Sequence, residues 1–148
     1  MRPSRREVIQ AGAAVAAGML LPNAMGNETS SQKPKFKLNY GPHFGMFSNH
    51  ARTDDDQLKF AADEGFTAWE DNGMRGRSAA DQEKFGKLMR DLGITMGVFV
   101  VNDIDWTNPT LTTGRQDHLD NFLQRCRESV DVAKRVGAKW MTVVPGTC

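Results

Sequence analysis

The sequence predicts an α/β fold in which parallel strands alternate with helices. Three observations carry that prediction. A glycine able to end a helix is followed at once by a strand-like segment three times, at Gly65-Phe66, Gly93-Ile94 and Gly137-Ala138. The interior segment Ile94 to Val101 is apolar almost throughout, as a strand covered on both faces of a parallel sheet must be. Acids and amides, Glu70-Asp71-Asn72 and Asn102-Asp103, stand at strand C-termini, where parallel α/β folds place their chemistry.

Taken in order, Met1 to about Gly26 reads as an export signal. Arg5-Arg6 lie in a basic segment, Val8 to Leu21 is apolar and rich in Ala and Gly, and small residues at Ala24 and Gly26 offer a cleavage site. Ser4-Arg5-Arg6-Glu7-Val8-Ile9-Gln10 is similar to the twin-arginine signal S-R-R-x-F-L-K, which implies the twin-arginine export machinery as a partner and a periplasmic or other extracytoplasmic destination. The apolar run falls short of the roughly 20 residues a stable membrane span needs. Residues 27–35 form a polar linker.

The fold should then occupy 36–148. Phe36 to Tyr40 alternates and stops at Gly41-Pro42, which predicts a first strand. Thr53 followed by Asp54, Asp55 and Asp56 predicts a helix start, with Leu58, Ala61 and Ala62 inward and Gly65 as the stop before a strand over 66–70. Ser78 repeats the cap, and Phe85, Leu88, Met89 and Leu92 recur at helical spacing before Gly93. The third helix is expected to bury Leu119, Phe122, Leu123, Cys126, Val130 and Ala133, and to stop at Gly137. Trp140 to Val144 predicts a fourth strand.

Two architectures accommodate this order, an open doubly wound sheet and part of a (β/α)8 barrel. A dinucleotide-binding sheet should carry G-x-G-x-x-G after its first strand, and only Gly-Pro-His-Phe-Gly follows Tyr40. A full barrel needs about 250 residues, well above the 148 present. The sequence stops directly after its fourth strand, which reads as a cut. The expectation is the N-terminal half of a barrel, about four βα units. Half a barrel leaves open strand edges, so pairing with another copy is a further expectation.

Composition narrows function by exclusion. Net charge is +1 with both signs well mixed, so no basic stripe invites nucleic acid. Of the two cysteines, Cys126 sits at a core-like helix position and Cys148 is the last residue, so a buried thiol is expected rather than a disulfide.

The segments Lys37-Leu38-Asn39-Tyr40, Ala61-Ala62-Asp63-Glu64-Gly65-Phe66-Thr67-Ala68-Trp69-Glu70, Leu92-Gly93-Ile94-Thr95 and Val98-Phe99-Val100-Val101-Asn102 together resemble the xylose isomerase-like TIM-barrel family, most of all its hydroxypyruvate isomerase-type sugar isomerases and epimerases. The resemblance spans roughly 35–146. It implies proton transfer next to a carbonyl through an enediolate, on a small sugar or hydroxy-carbonyl substrate. It also implies a divalent metal held by carboxylates and His from strands five to eight, none of which is in this sequence. No cofactor is identifiable in the chain itself. The catalytic carboxylates are expected beyond Cys148, and the chain as it stands is expected to be inactive.

Three residues are candidates for substrate contact. His43 follows the first strand, Glu70 ends the second and Asn102 ends the third. For two of them a structural role competes: packing against Phe44 and Phe47 for His43, and a satisfied strand-end carboxylate for Glu70. Their separation gives no metal-ligand spacing. Alternation turns Asp71 away from the side of Glu70, and Asn72-Gly73 reads as a turn. Trp106 could wall a pocket, Asp103 could cap its loop, and His50 and His118 read as solvated. The main competing function is a non-catalytic carbohydrate-binding barrel of the cell envelope. A metal-dependent endonuclease of related fold lacks the basic face it would need, and a truncated product unstable alone is the remaining alternative.

Overall fold

The computed structural model describes residues 34–147. The export signal, nearly all of the linker and Cys148 lie outside the described residues.

The helices form where their caps dictate. Helix α1 (Asp54–Asp63) starts at Thr53, whose hydroxyl accepts from the Asp56 amide at 3.2 Å. Helix α2 (Ala79–Asp91) starts at Ser78 in the same way, through the Asp81 amide at 3.1 Å. Helix α3 (Gln116–Val136) has no side-chain cap at Arg115 and ends on left-handed Gly137. Gly65 and Gly93 also have positive φ, as helix-ending glycines do.

Regular strand is shorter than the sequence suggests. β1 (Ala68–Trp69) pairs in parallel with β2 (Thr95–Met96), Ala68 against Thr95 and Trp69 against Met96. Single parallel bridges extend the pairing on either side, His43 with Glu70 and Val100 with Thr142. The first pairing therefore falls beyond the expected strand. Phe36, Leu38 and Tyr40 are exposed, and the Glu70 amide donates to the Pro42 carbonyl at 2.9 Å. Proline has no N–H to give a ladder, but its carbonyl accepts freely. The expected fourth strand is reduced to Thr142, which donates to the Phe99 carbonyl at 2.9 Å, while Trp140 and Val143 stay exposed.

The core lies between the short sheet and the helices. Trp69, Phe99, Leu58, Met74 and Met89 are fully buried there with Phe85, Met96, Val132 and Val136. Phe44 and Phe47 pack on Trp69 with ring centroids 4.9 and 6.1 Å away. At Gly86 the two longer helices meet so closely that an added Cβ would lie 2.2 Å from the Arg135 carbonyl oxygen.

This approach corrects the third helical stripe. Ser129, Val132 and Val136 face α2, whereas Leu119, Leu123 and Val130 are exposed. The expected stripe is covered only in part: Phe122, Cys126 and Ala133 are half-buried, and Ala133 packs against the core. Cys126 is free and half-buried rather than buried.

Candidate functional site

Glu70 follows β1, and its side chain lies between two glycines. A Cβ on Gly41 would stand 3.0 Å from Glu70 Cγ, and one on Gly97 would stand 3.2 Å from the same atom. Any side chain at either position would crowd the carboxylate. The Glu70 carboxylate is half-buried and makes no hydrogen bond or ion pair with any described residue. A carboxylate partly removed from water normally finds a donor within the fold. Here the surroundings make room for it and leave its oxygens free.

The parallel bridge sets His43 beside Glu70. The imidazole is exposed, and its Nδ1 lies 3.0 Å from the Phe44 carbonyl oxygen. A carbonyl can only accept, so Nδ1 carries the proton and Nε2 of the neutral ring is an acceptor. His43 and Glu70 are thus adjacent, while Asn102 is committed elsewhere. The Asn102 side chain is buried, donates to the Val144 carbonyl at 2.7 Å and accepts from the Val144 amide at 3.0 Å.

The neighbouring acids are occupied. Asp71 accepts from the Gly73 amide at 2.9 Å and from Arg77 Nε at 2.6 Å. Burial works against the charge of Arg77, but the hydrogen bonds it donates to Asp71 and Asp54 outweigh it and hold the guanidinium above its ordinary range. Asp103 is bridged by Arg75 and by Arg125. Asp54, Asp55 and Asp56 serve the start of α1 and pair with Arg77, Lys84 and Lys59.

A second feature lies beyond Asn102. A cavity of about 350 Å3 is bordered by Asn102, Asp105, Trp106, His118 and Phe122. Its loop is fixed at both ends. Asp105 accepts from the amides of Thr107 at 2.7 Å and Asn108 at 2.8 Å, bonds that hold its carboxyl below the usual range. The Thr147 hydroxyl donates to the Trp106 carbonyl at 2.7 Å. His118 is not simply solvated: its Nδ1 donates to the Thr110 carbonyl at 2.9 Å and the ring borders the cavity.

Sequence reasoning missed the glycine cradle. The signal was present in Gly97, a lone glycine inside an apolar strand run, which often marks a close approach by a neighbouring group. Among the described residues no group of three or more His, Cys, Asp or Glu side chains could hold a metal ion. No described helix is long and apolar enough to cross a membrane.

The alternation of helices with short parallel strands, with polar groups at the strand ends, defines a partial TIM-barrel-like α/β arrangement. A solved structure with the same arrangement is D-psicose 3-epimerase in the presence of D-fructose, with a TM-score of 0.53 and 12% identity over 73% of this chain. The matched region is 37% of the epimerase chain, so the present chain spans well under half its length. At that identity the likeness is one of fold. No protein-family model matches the sequence, and no curated protein does.

Proposed function

We propose that this chain supplies the substrate-holding part of a sugar or hydroxy-carbonyl isomerase or epimerase. The observation that carries the reading is Glu70, a half-buried carboxylate without a partner among the described residues, cradled by Gly41 and Gly97 at a strand C-terminus. The fold shared with a sugar epimerase supports it at a coarser level. In this reading Glu70 accepts hydrogen bonds from substrate hydroxyls, and His43 Nε2 accepts another. Asn102 serves as a positioning residue that fixes the backbone at Val144.

Enediolate chemistry needs a base, an acid and a positive charge to steady the developing oxyanion. The described residues do not form a divalent-metal site by themselves, so no step is assigned to a metal here. The catalytic carboxylates are proposed to come from strands outside this sequence. Hydroxypyruvate is a fitting small substrate, on the strength of the sequence resemblance. Export by the twin-arginine route is part of the same proposal and rests on Arg5-Arg6 and the apolar run behind them.

Titration with D-fructose and hydroxypyruvate, followed by amide chemical shifts, tests the proposal. Saturable shifts should centre on Gly41, His43, Glu70 and Gly97, and Glu70→Gln should weaken binding about tenfold. Equal binding by Glu70→Gln, or no saturable shift with either compound, would remove Glu70 from the role. Solvent deuterium entering the carbon next to the carbonyl would mark turnover and separate an isomerase from a carbohydrate-binding barrel.

A further inference from the structure

Glu70 and His43 each have a sequence neighbour that one and the same side chain grips. Arg77 lies in the link from β1 to α2, one residue before the Ser78 cap. Its Nε donates to Asp71 Oδ2 at 2.6 Å, and Asp71 directly follows Glu70. Its guanidinium carbon stands 4.7 Å from the centre of the Phe44 ring, and Phe44 directly follows His43. The same group lies 4.8 Å from the Phe85 ring and reaches Asp54, at the start of α1, at 3.0 Å. No hydrogen bond or ion pair joins Arg77 to Glu70 or His43 among the described residues. Its influence on them passes through their neighbours.

Each grip has a consequence at the site. Asp71 is buried, with Arg77 on one carboxylate oxygen and the Gly73 amide on the other at 2.9 Å. Side chains alternate along a strand, so fixing Asp71 on one side holds Glu70 on the other, toward Gly41 and Gly97. Without Arg77 that buried carboxylate keeps only the Gly73 amide, and the strand end must turn or admit water to satisfy it. Phe44 is clamped by Trp69 at 4.9 Å and Phe85 at 5.4 Å as well as by Arg77. The clamp steadies the residue whose carbonyl accepts from His43 Nδ1. A planar guanidinium can donate along its edge and lie against rings with its face, which an ammonium cannot do.

We propose that Arg77 is the positioning residue of the site, holding Glu70 in its glycine cradle and His43 with Nε2 as the acceptor. That role rests on the sugar reading of Glu70, whereas the two orientations it sets are measurable without a sugar.

The test compares the full chain with Arg77→Met and Arg77→Lys, first without sugar and then with D-fructose. Long-range nitrogen–proton NMR spectra in mildly alkaline solution report which His43 nitrogen carries the proton. The unaltered chain should show Nδ1 protonated, and Arg77→Met should show both protonated forms. The Glu70 carboxyl carbon resonance should move in the same variant toward that of a solvated glutamate. Arg77→Met should also weaken D-fructose binding about tenfold, and Arg77→Lys should recover part of the loss. An unchanged His43 tautomer and Glu70 resonance in Arg77→Met would overturn the proposal and leave Arg77 a tie between helices. So would D-fructose binding that is equal in all three proteins. If the unaltered chain binds neither D-fructose nor hydroxypyruvate, the sugar reading fails, and the sugar-free spectra alone decide whether Arg77 sets the two orientations. If Arg77→Met loses its far-UV circular dichroism, Arg77→Lys decides by the same two signals, and unchanged signals count against the role.

Discussion

Asn102 holds Val144 by both ends of its carboxamide, donating to the Val144 carbonyl at 2.7 Å and accepting from its amide at 3.0 Å. The side chain imitates the partner that a neighbouring strand would offer. It carries the pairing begun at Val100 and Thr142 onward to a point where the backbone ladder has stopped.

Asn102→Ala should therefore cost about 2 kcal/mol, because it removes two hydrogen bonds and leaves a backbone donor and acceptor without partners. Asn102→Asp restores the contact with the amide but sets a carboxylate against the carbonyl, and should recover none of the loss at neutral pH. Urea unfolding midpoints of the two variants check both statements.

The contact between α2 and α3 is made of backbone. A Cβ at position 86 would stand 2.2 Å from the Arg135 oxygen and 2.9 Å from Val136 Cα. No rotamer change can relieve it, so the helices must move apart. Gly86→Ala should lose about 3 kcal/mol and lower the melting temperature by on the order of ten degrees.

Gly41 and Gly97 should respond differently to the same change. At Gly41 the nearest atoms to an added methyl all belong to the flexible side chain of Glu70, whereas at Gly97 it also meets the Trp69 carbonyl at 3.2 Å. Gly41→Ala should keep the melting temperature and weaken ketose binding by displacing the carboxylate. Gly97→Ala should weaken binding and also cost about 1 kcal/mol of stability. Melting curves paired with sugar titrations separate the two.

Acid should release the loop after Asp105. Hydrogen bonds from the amides of Asn108 and Thr107 lower the Asp105 pKa in the fold. A folded value below the unfolded one means the stabilisation is complete above the ordinary aspartate value of about 3.9 and is lost as pH falls through the lower folded value. The amide resonances of Thr107 and Asn108 should shift through that acid range, and Asp105→Asn should abolish the titration.

The helices were legible because their determinants are local. Thr53 and Ser78 cap through their own hydroxyls, and Gly65, Gly93 and Gly137 turn left-handed next to their helix ends. The strands were legible in place and order but not in extent, since pairing depends on a neighbour distant in sequence. Phe36 to Tyr40 has a strand pattern, yet the bridge forms at His43. The stripe of α3 misled for the same reason, because periodicity marks an apolar face without saying which element covers it. At the site, the sequence placed Glu70 at a strand end and turned Asp71 away from it. That Asn102 would spend its amide on Val144, and that Gly41 and Gly97 would flank Glu70, are facts of three-dimensional register.

The three tryptophans occupy such different surroundings that the protein carries its own optical probes. Trp69 is fully buried against Phe44 and Phe47, whereas Trp106 is 71% and Trp140 73% exposed. A collisional quencher such as acrylamide reaches the last two and spares the first. The emission that survives quenching reports on the interior alone, and the emission removed reports on one loop and one sheet edge. Loosening of the core and events at the periphery can thus be followed separately, in one cuvette, without a label.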